Sequence, residues 1–198
     1  MPAAPTPVSP TAPPAPGGDV AALLRATRAL STGAAVCLAV QLFGNLYEEV
    51  VGNVATLADP RPGALVGALA PGSPVYYYLP WAPLGVVLTA VLTVRLRHLG
   101  APAWVVRRMH VALGALAVAV AAKAVLVTTI NPRFRDPGAA VELLRRSAVT
   151  WAFGNGIAIV TVAVALVLLL SWRAAVLDPA PRREAGPERA HTRADGAS

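Results

Sequence analysis

The stretch Gln41–Glu49, QLFGNLYEE, decides how this chain folds. It closes an apolar segment that begins near Ala29. At helical spacing Gly33, Cys37, Gln41, Asn45 and Glu48 follow one another by three or four residues and share one face. Val36, Val40, Phe43 and Tyr47 fall elsewhere on the cylinder as a bulky stripe. A helix that is apolar on most sides, with one small and polar stripe, is the pattern of a membrane span facing protein.

Three further apolar runs follow, near Val75–Val94, Met109–Ile130 and Val149–Trp172. Each is about 20 residues long, enough to cross a hydrocarbon core of about 30 Å. With 198 residues, 56% of them hydrophobic and only 14% charged, the chain has too little charge to cover a soluble surface. The expected fold is an all-α, integral membrane four-helix bundle over residues 19–177, with spans at 29–50, 75–96, 108–130 and 148–172. Residues 1–18 carry seven prolines and residues 178–198 are charged, so both tails are expected to be disordered.

A net charge of +7 raises the question of nucleic acid, but the basic residues cluster at span ends, where they orient a membrane protein and meet anionic lipid. The expected partner is therefore the lipid bilayer, with no nucleic acid. Eleven Lys and Arg lie in the tails and second loop, against five in the first and third loops. This asymmetry predicts a multi-pass protein of the cell membrane with both termini in the cytoplasm. A second copy or another membrane protein is a further expected partner.

Between the first two spans, Val50–Pro74 reads as a loop whose middle, ALVGALA, is too short to cross. Tyr76, Tyr77, Tyr78 and Trp81 lead the second span, and such rings suit the headgroup zone. In the third span Gly114, Ala117, Ala121 and Ala124 form a small-residue stripe that permits close helix approach. The third loop is expected to run from Asn131 to Arg146.

Polar groups at depth mark the candidate site. Lys123, the only lysine, lies about 10 Å below the expected outer end of its span. A charged lysine at depth costs about 2.5–3.5 kcal/mol unless it snorkels or is paired. Glu48 lies at the same level on the first span. Either the two pair to fix helix register, or Lys123, Glu48 and Asn45 line an outward-opening polar pocket. Trp151 and Asn155, four residues apart on the fourth span, can be an interfacial anchor and a helix–helix hydrogen bond, or part of that pocket. Arg145 and Arg146 precede them as flanking charges. The single Cys37, and histidines without partners at ligand spacing, give no metal or disulfide pattern. Serine-hydrolase, P-loop and dinucleotide signatures are absent, so no cofactor is expected.

The segments LFGNLYEEVV, INPRFRD and LLRRSAVTWAFGN, set in four spans with an aromatic-led second, together resemble the small membrane proteins grouped with anthrone oxygenases. The resemblance covers residues 29–172. It implies a cofactor-independent oxidation of a lipophilic aromatic, and it draws in Asn45, Asn131, Arg133, Arg146, Trp151 and Asn155. Proline follows Asn131 directly here, instead of lying ahead of it. The candidate catalytic residues are Glu48 as base, with Lys123, Asn45 and Asn155 stabilising an enolate-like anion. The candidate substrate-binding residues are Gln41, Trp151, Arg146, Asn131 and Arg133. The alternative is a non-catalytic membrane component whose polar residues serve helix packing.

Overall fold

The computed structural model describes residues 18–65, 71, 78 and 80–177. The tails expected to be disordered, up to residue 17 and from residue 178, lie outside the described residues, as do Tyr76, Tyr77 and residues 66–70 of ALVGALA.

Every regular element among the described residues is helical. Helix α1 (Gly18–Tyr47) runs through a π-helical segment, Glu48–Asn53, into α2 (Val54–Ala58). Helix α3 spans Trp81–His98. Helix α4 (Ala103–Val125) likewise passes through a π-helical segment, Leu126–Ile130, into α5 (Asn131–Arg135). The last helix, α6, spans Val141–Leu177.

Helix ends differ from the expected ones. The first loop does not begin at Val50, because the helix continues to Ala58, and the third shrinks from 131–146 to residues 136–140. Falling hydropathy locates the edge of the hydrocarbon, whereas a helix stops only where its backbone ladder is interrupted.

The span count also differs. Three helical stretches, Arg25–Ala58, Ala103–Arg135 and Val141–Ala174, are long and apolar enough to cross a membrane, where four were expected. The expected second span is represented by the 18-residue α3, whose last turn carries Arg95, Arg97 and His98. Its apolar length within the described residues is correspondingly short.

Helix α1 packs against α3 and α6, and α4 packs against the same two. Close approach of α1 and α3 depends on paired glycines. A Cβ on Gly85 would stand 3.0 Å from Leu38 Cδ2, and one on Gly33 3.2 Å from Leu88 Cδ1. Leu38, Leu92, Leu96, Met109, Leu116, Val162, Leu169 and Trp172 fill the shared interior. Buried hydroxyls satisfy themselves within their own helices. Thr27, Thr89 and Thr93 each donate to the carbonyl four residues back at 2.7 Å, as hydroxyls in apolar surroundings must.

On α4 the buried face is Val105, Met109, Ala112, Leu116 and Ala119, at alternating steps of four and three. Of the small-residue stripe, Gly114, Ala117 and Ala121 face outward, while Ala124, also accessible, lines the cavity described below. The bulkier face gains more contact by turning inward, and the small residues are left outside. Extending the buried register by four residues from Ala119 brings Lys123 inward. The outward positions Val36, Phe43, Val50, Val118, Phe153 and Val167 are large, apolar and exposed, a surface suited to lipid tails.

Candidate functional site

Both π-helical segments lie at the same end of the molecule, and they flank its main cavity. One has a visible cause. Pro132 lacks an N–H, and its ring clashes with the carbonyl four residues back, Thr128. The preceding run of Val127, Thr128, Thr129 and Ile130 is β-branched and stiff at χ1. Widening the turn over Leu126–Ile130 relieves the clash without ending the helix. Thr128 and Thr129 then donate to the carbonyls of Ala124 and Val125, at 2.8 and 2.6 Å.

The other segment re-aims two carboxylates. At 100° per residue a regular helix would turn Glu48 and Glu49 to different sides. In the π-helical turn both are half-buried. Glu48 Oε2 accepts from Lys123 Nζ at 3.0 Å. Glu49 is held by amides instead: Oε1 accepts from Asn53 Nδ2 at 3.1 Å and Oε2 from Asn155 Nδ2 at 2.9 Å.

Lys123 also faces two aromatic rings. Its Nζ stands 5.5 Å from the centroid of Tyr78 and 5.1 Å from that of Trp151, both within cation–π range. Tyr78 reaches this position across Gly44, where a Cβ would stand 2.8 Å from Tyr78 Cε1. Trp151 is thus a neighbour of the ammonium as well as a span-end aromatic.

Around this cluster lies a cavity of about 930 Å³. Gln41, Asn45 and Glu48 line it from α1 and its extension, and Lys123, Val120 and Val127 from α4 and its extension. Tyr78, Trp151 and Asn131 also line it, as do Leu65 and Phe134, and Asn53, Asp59, Arg61 and Arg135 add polar and charged groups to the wall. Leu65 and Phe134 are joined by a backbone hydrogen bond, Leu65 N to Phe134 O at 3.3 Å, which ties the first loop to α5. Gln41 Oε1 and both amide atoms of Asn45 are buried without a hydrogen-bond partner among the described residues. Buried amides normally find partners, so two such residues on successive turns at a cavity wall are unusual.

The structure therefore brings Gln41, Asn45, Glu48, Lys123, Trp151 and Asn131 to one cavity and leaves three expected residues away from it. Asn155 does not line the cavity. It is fully buried behind it, and its Nδ2 also donates to the carbonyl of Asn45 at 3.0 Å, joining α6 to α1. Arg146 is exposed and pairs with Glu142 at 3.1 Å, one helical turn away. Arg133 is also exposed, and it reaches Ser147 Oγ at 3.4 Å. Both arginines sit where the chain has turned outward around the 136–140 loop, so proximity in sequence to Asn131 and Trp151 does not carry them inward. Tyr78, Phe134 and Arg135 were missed as lining residues. Tyr78 carried a signal in its aromatic cluster; the other two depend on α5 folding back over the cavity, which no local pattern announces.

Among the described residues, no three His, Cys, Asp or Glu side chains gather as a metal-binding group. Comparison of the chain with protein-family models, with curated proteins and with solved structures finds no match in any of the three.

Proposed function

We propose that the chain is a four-span protein of the cell membrane, both termini cytoplasmic, whose cavity holds a lipophilic small molecule. In this reading α3 and the residues ahead of it form the fourth span. The observation that carries the reading is the 930 Å³ cavity, with Glu48, Lys123, Asn45 and Gln41 set beside alanine, valine and aromatic side chains, and with Asp59, Arg61 and Arg135 also on its wall. Ligand sites are commonly cavities of about 300–1,000 Å³, mainly apolar, with a few convergent polar groups. Polar residues recruited only to hold helices together close on one another, as Asn155 does with Glu49 and Lys123 with Glu48, whereas Gln41 Oε1 and both amide atoms of Asn45 have no partner among the described residues.

The resemblance to anthrone oxygenases extends the proposal to chemistry. Glu48 takes the acidic C–H proton of a lipophilic aromatic, and Lys123 moves onto the enolate oxygen. The carbanion gives its electrons to O2, and the hydroperoxide loses water, so one anthrone and one O2 yield one anthraquinone and one H2O. General bases contribute about 10²–10⁴-fold, so Glu48→Gln should return anthrone oxidation under air to the spontaneous rate. An unchanged rate in that variant rejects the chemistry.

Binding is tested separately. Ala124 lines the cavity, and Ala124→Trp places an indole inside it. Lipophilic molecules that travel with the purified protein in native mass spectrometry should be lost from this variant; equal retention rejects the cavity reading.

A second reading, a non-catalytic structural or accessory membrane component, draws on Asn155. Its bonds to Asn45 and Glu49 are a helix-to-helix fastening. In that reading the outward Gly114/Ala117/Ala121 face would seat a second copy or a partner span.

A further inference from the structure

Lys123 is more than an ion-pair partner by position. It is the only lysine in the chain, and its side chain and that of Glu48 remain 20% accessible at the wall of a large, mainly apolar cavity. Its ammonium is already neutralised by Glu48 at 3.0 Å, so the pair offers no surplus positive charge to an anionic ligand. A carboxylate entering here would have to break the pair and leave one of two acids unmatched. A neutral carbonyl compound has a route that preserves the charge balance, because an iminium carries the same single positive charge as the ammonium it replaces.

Resting on the reading of the cavity as a lipophile site, we infer that Lys123 captures a lipophilic aldehyde as a protonated Schiff base, with Glu48 as its counter-ion. Glu48 accepts a proton from the ammonium and frees the nitrogen lone pair, which attacks the aldehyde carbon. The C–N bond forms and the Glu48 carboxyl protonates the carbonyl oxygen; one proton of the carbinolamine nitrogen then passes through Glu48 to that hydroxyl, and the C–O bond breaks to release water. One aldehyde and one ammonium thus give one iminium and one H2O, with no change of oxidation state. Tyr78 and Trp151, at 5.5 and 5.1 Å, present their ring faces to the nitrogen and serve the delocalised cation as they serve the ammonium. The apolar wall made by Val120, Ala124 and Val127 on the same stretch of helix receives the chain of the aldehyde and limits water that would hydrolyse the imine.

The test uses the full chain in nanodiscs with all-trans-retinal as probe, followed by borohydride reduction and peptide mapping. One reduced adduct on Lys123 is expected, with an absorbance shifted to longer wavelength before reduction. Lys123→Arg, which keeps the charge opposite Glu48, should show none. Glu48→Gln should form the adduct at least about tenfold more slowly, since it lacks the base. Retinal retained through gel filtration without an adduct overturns the inference and leaves the cavity reading standing. An adduct formed equally by heat-denatured protein also overturns it, as generic amine reactivity. Failure of both retention and adduct, with ligands still lost on Ala124→Trp, rejects aldehydes as the class while sparing the cavity.

Discussion

The two ends of the helix assembly are built by different rules. Where the chain enters and leaves, Leu92, Leu96, Met109, Leu169 and Trp172 are completely buried, and Thr27 and Thr93 are bonded within their own helices. At the other end the same helices widen into π-helical turns, surround a cavity of about 930 Å³, and leave Gln41 Oε1 and both amide atoms of Asn45 without partners among the described residues. The packed end is not free of such atoms, since Trp172 Nε1 also lacks a partner there, but that indole is enclosed by side chains while the two amides stand at a cavity wall. The open end has given up contact energy that close packing would supply, which is the pattern of a site.

The largest way to break this contrast is at the packed end. Trp172→Ala removes a fully buried indole and should cost about 3–5 kcal/mol, read as a lowered melting point in detergent. A loss below about 1 kcal/mol would mean that the two ends are equally loose. Next in size is the ion pair. Lys123→Met leaves Glu48 unmatched and should cost about 1–3 kcal/mol, less than for a fully buried pair because both side chains keep some exposure. Adding Glu48→Gln should recover part of that loss, and strictly additive losses would show that the two do not interact.

Two smaller changes sharpen the comparison. Ala119, on the buried face of α4, and Ala124, at the cavity, lie on one helix five residues apart. Ala119→Leu should cost about 1–3 kcal/mol by overpacking, whereas Ala124→Leu should stay within about 0.5 kcal/mol because its new methyls enter empty space. Gly44→Ala should be the subtlest. The added Cβ pushes Tyr78 off the helix, but helix propensity returns up to about 1 kcal/mol. Its net stability change should be near zero, while the adduct yield or ligand retention at Lys123 falls.

The helical nature of the chain and the inward face of α1 were legible because period 3.6 survives in Cys37, Gln41 and Asn45, all of them buried. The pairing of Glu48 with Lys123 was legible as one of two readings, since a lone lysine at that depth demands a partner. The π-helical turns were not legible, because a periodicity argument assumes the very spacing that they change. A trace of the second of them was present all the same. It was the β-branched run ahead of Pro132, a sequence that a regular helix accommodates poorly. The small-residue stripe on α4 did not tell which face turns inward, because small residues permit close approach without compelling it. Arg133 and Arg146 misled because they flank cavity residues along the chain, while the turn between α5 and α6 directs them outward.

The length of the continuous helices has a consequence for how the protein sits in a bilayer. Arg25–Ala58 is 34 residues long and rises about 51 Å. Even tilted by about 40°, the upper end of the usual range, it projects about 39 Å along the normal, against about 30 Å of hydrocarbon. The apolar part, residues 29–50, rises only about 33 Å and nearly matches the hydrocarbon, so the excess is polar-flanked helix rather than hydrophobic mismatch. At that tilt about eight of the residues stand beyond the acyl chains. Because the overshoot at one end is the stretch from Glu48 to Ala58, bilayer thickness itself becomes a variable that sets how deeply the cavity mouth is immersed. The same protein in short-chain and long-chain lipids should therefore present that mouth to headgroups in one case and to acyl chains in the other.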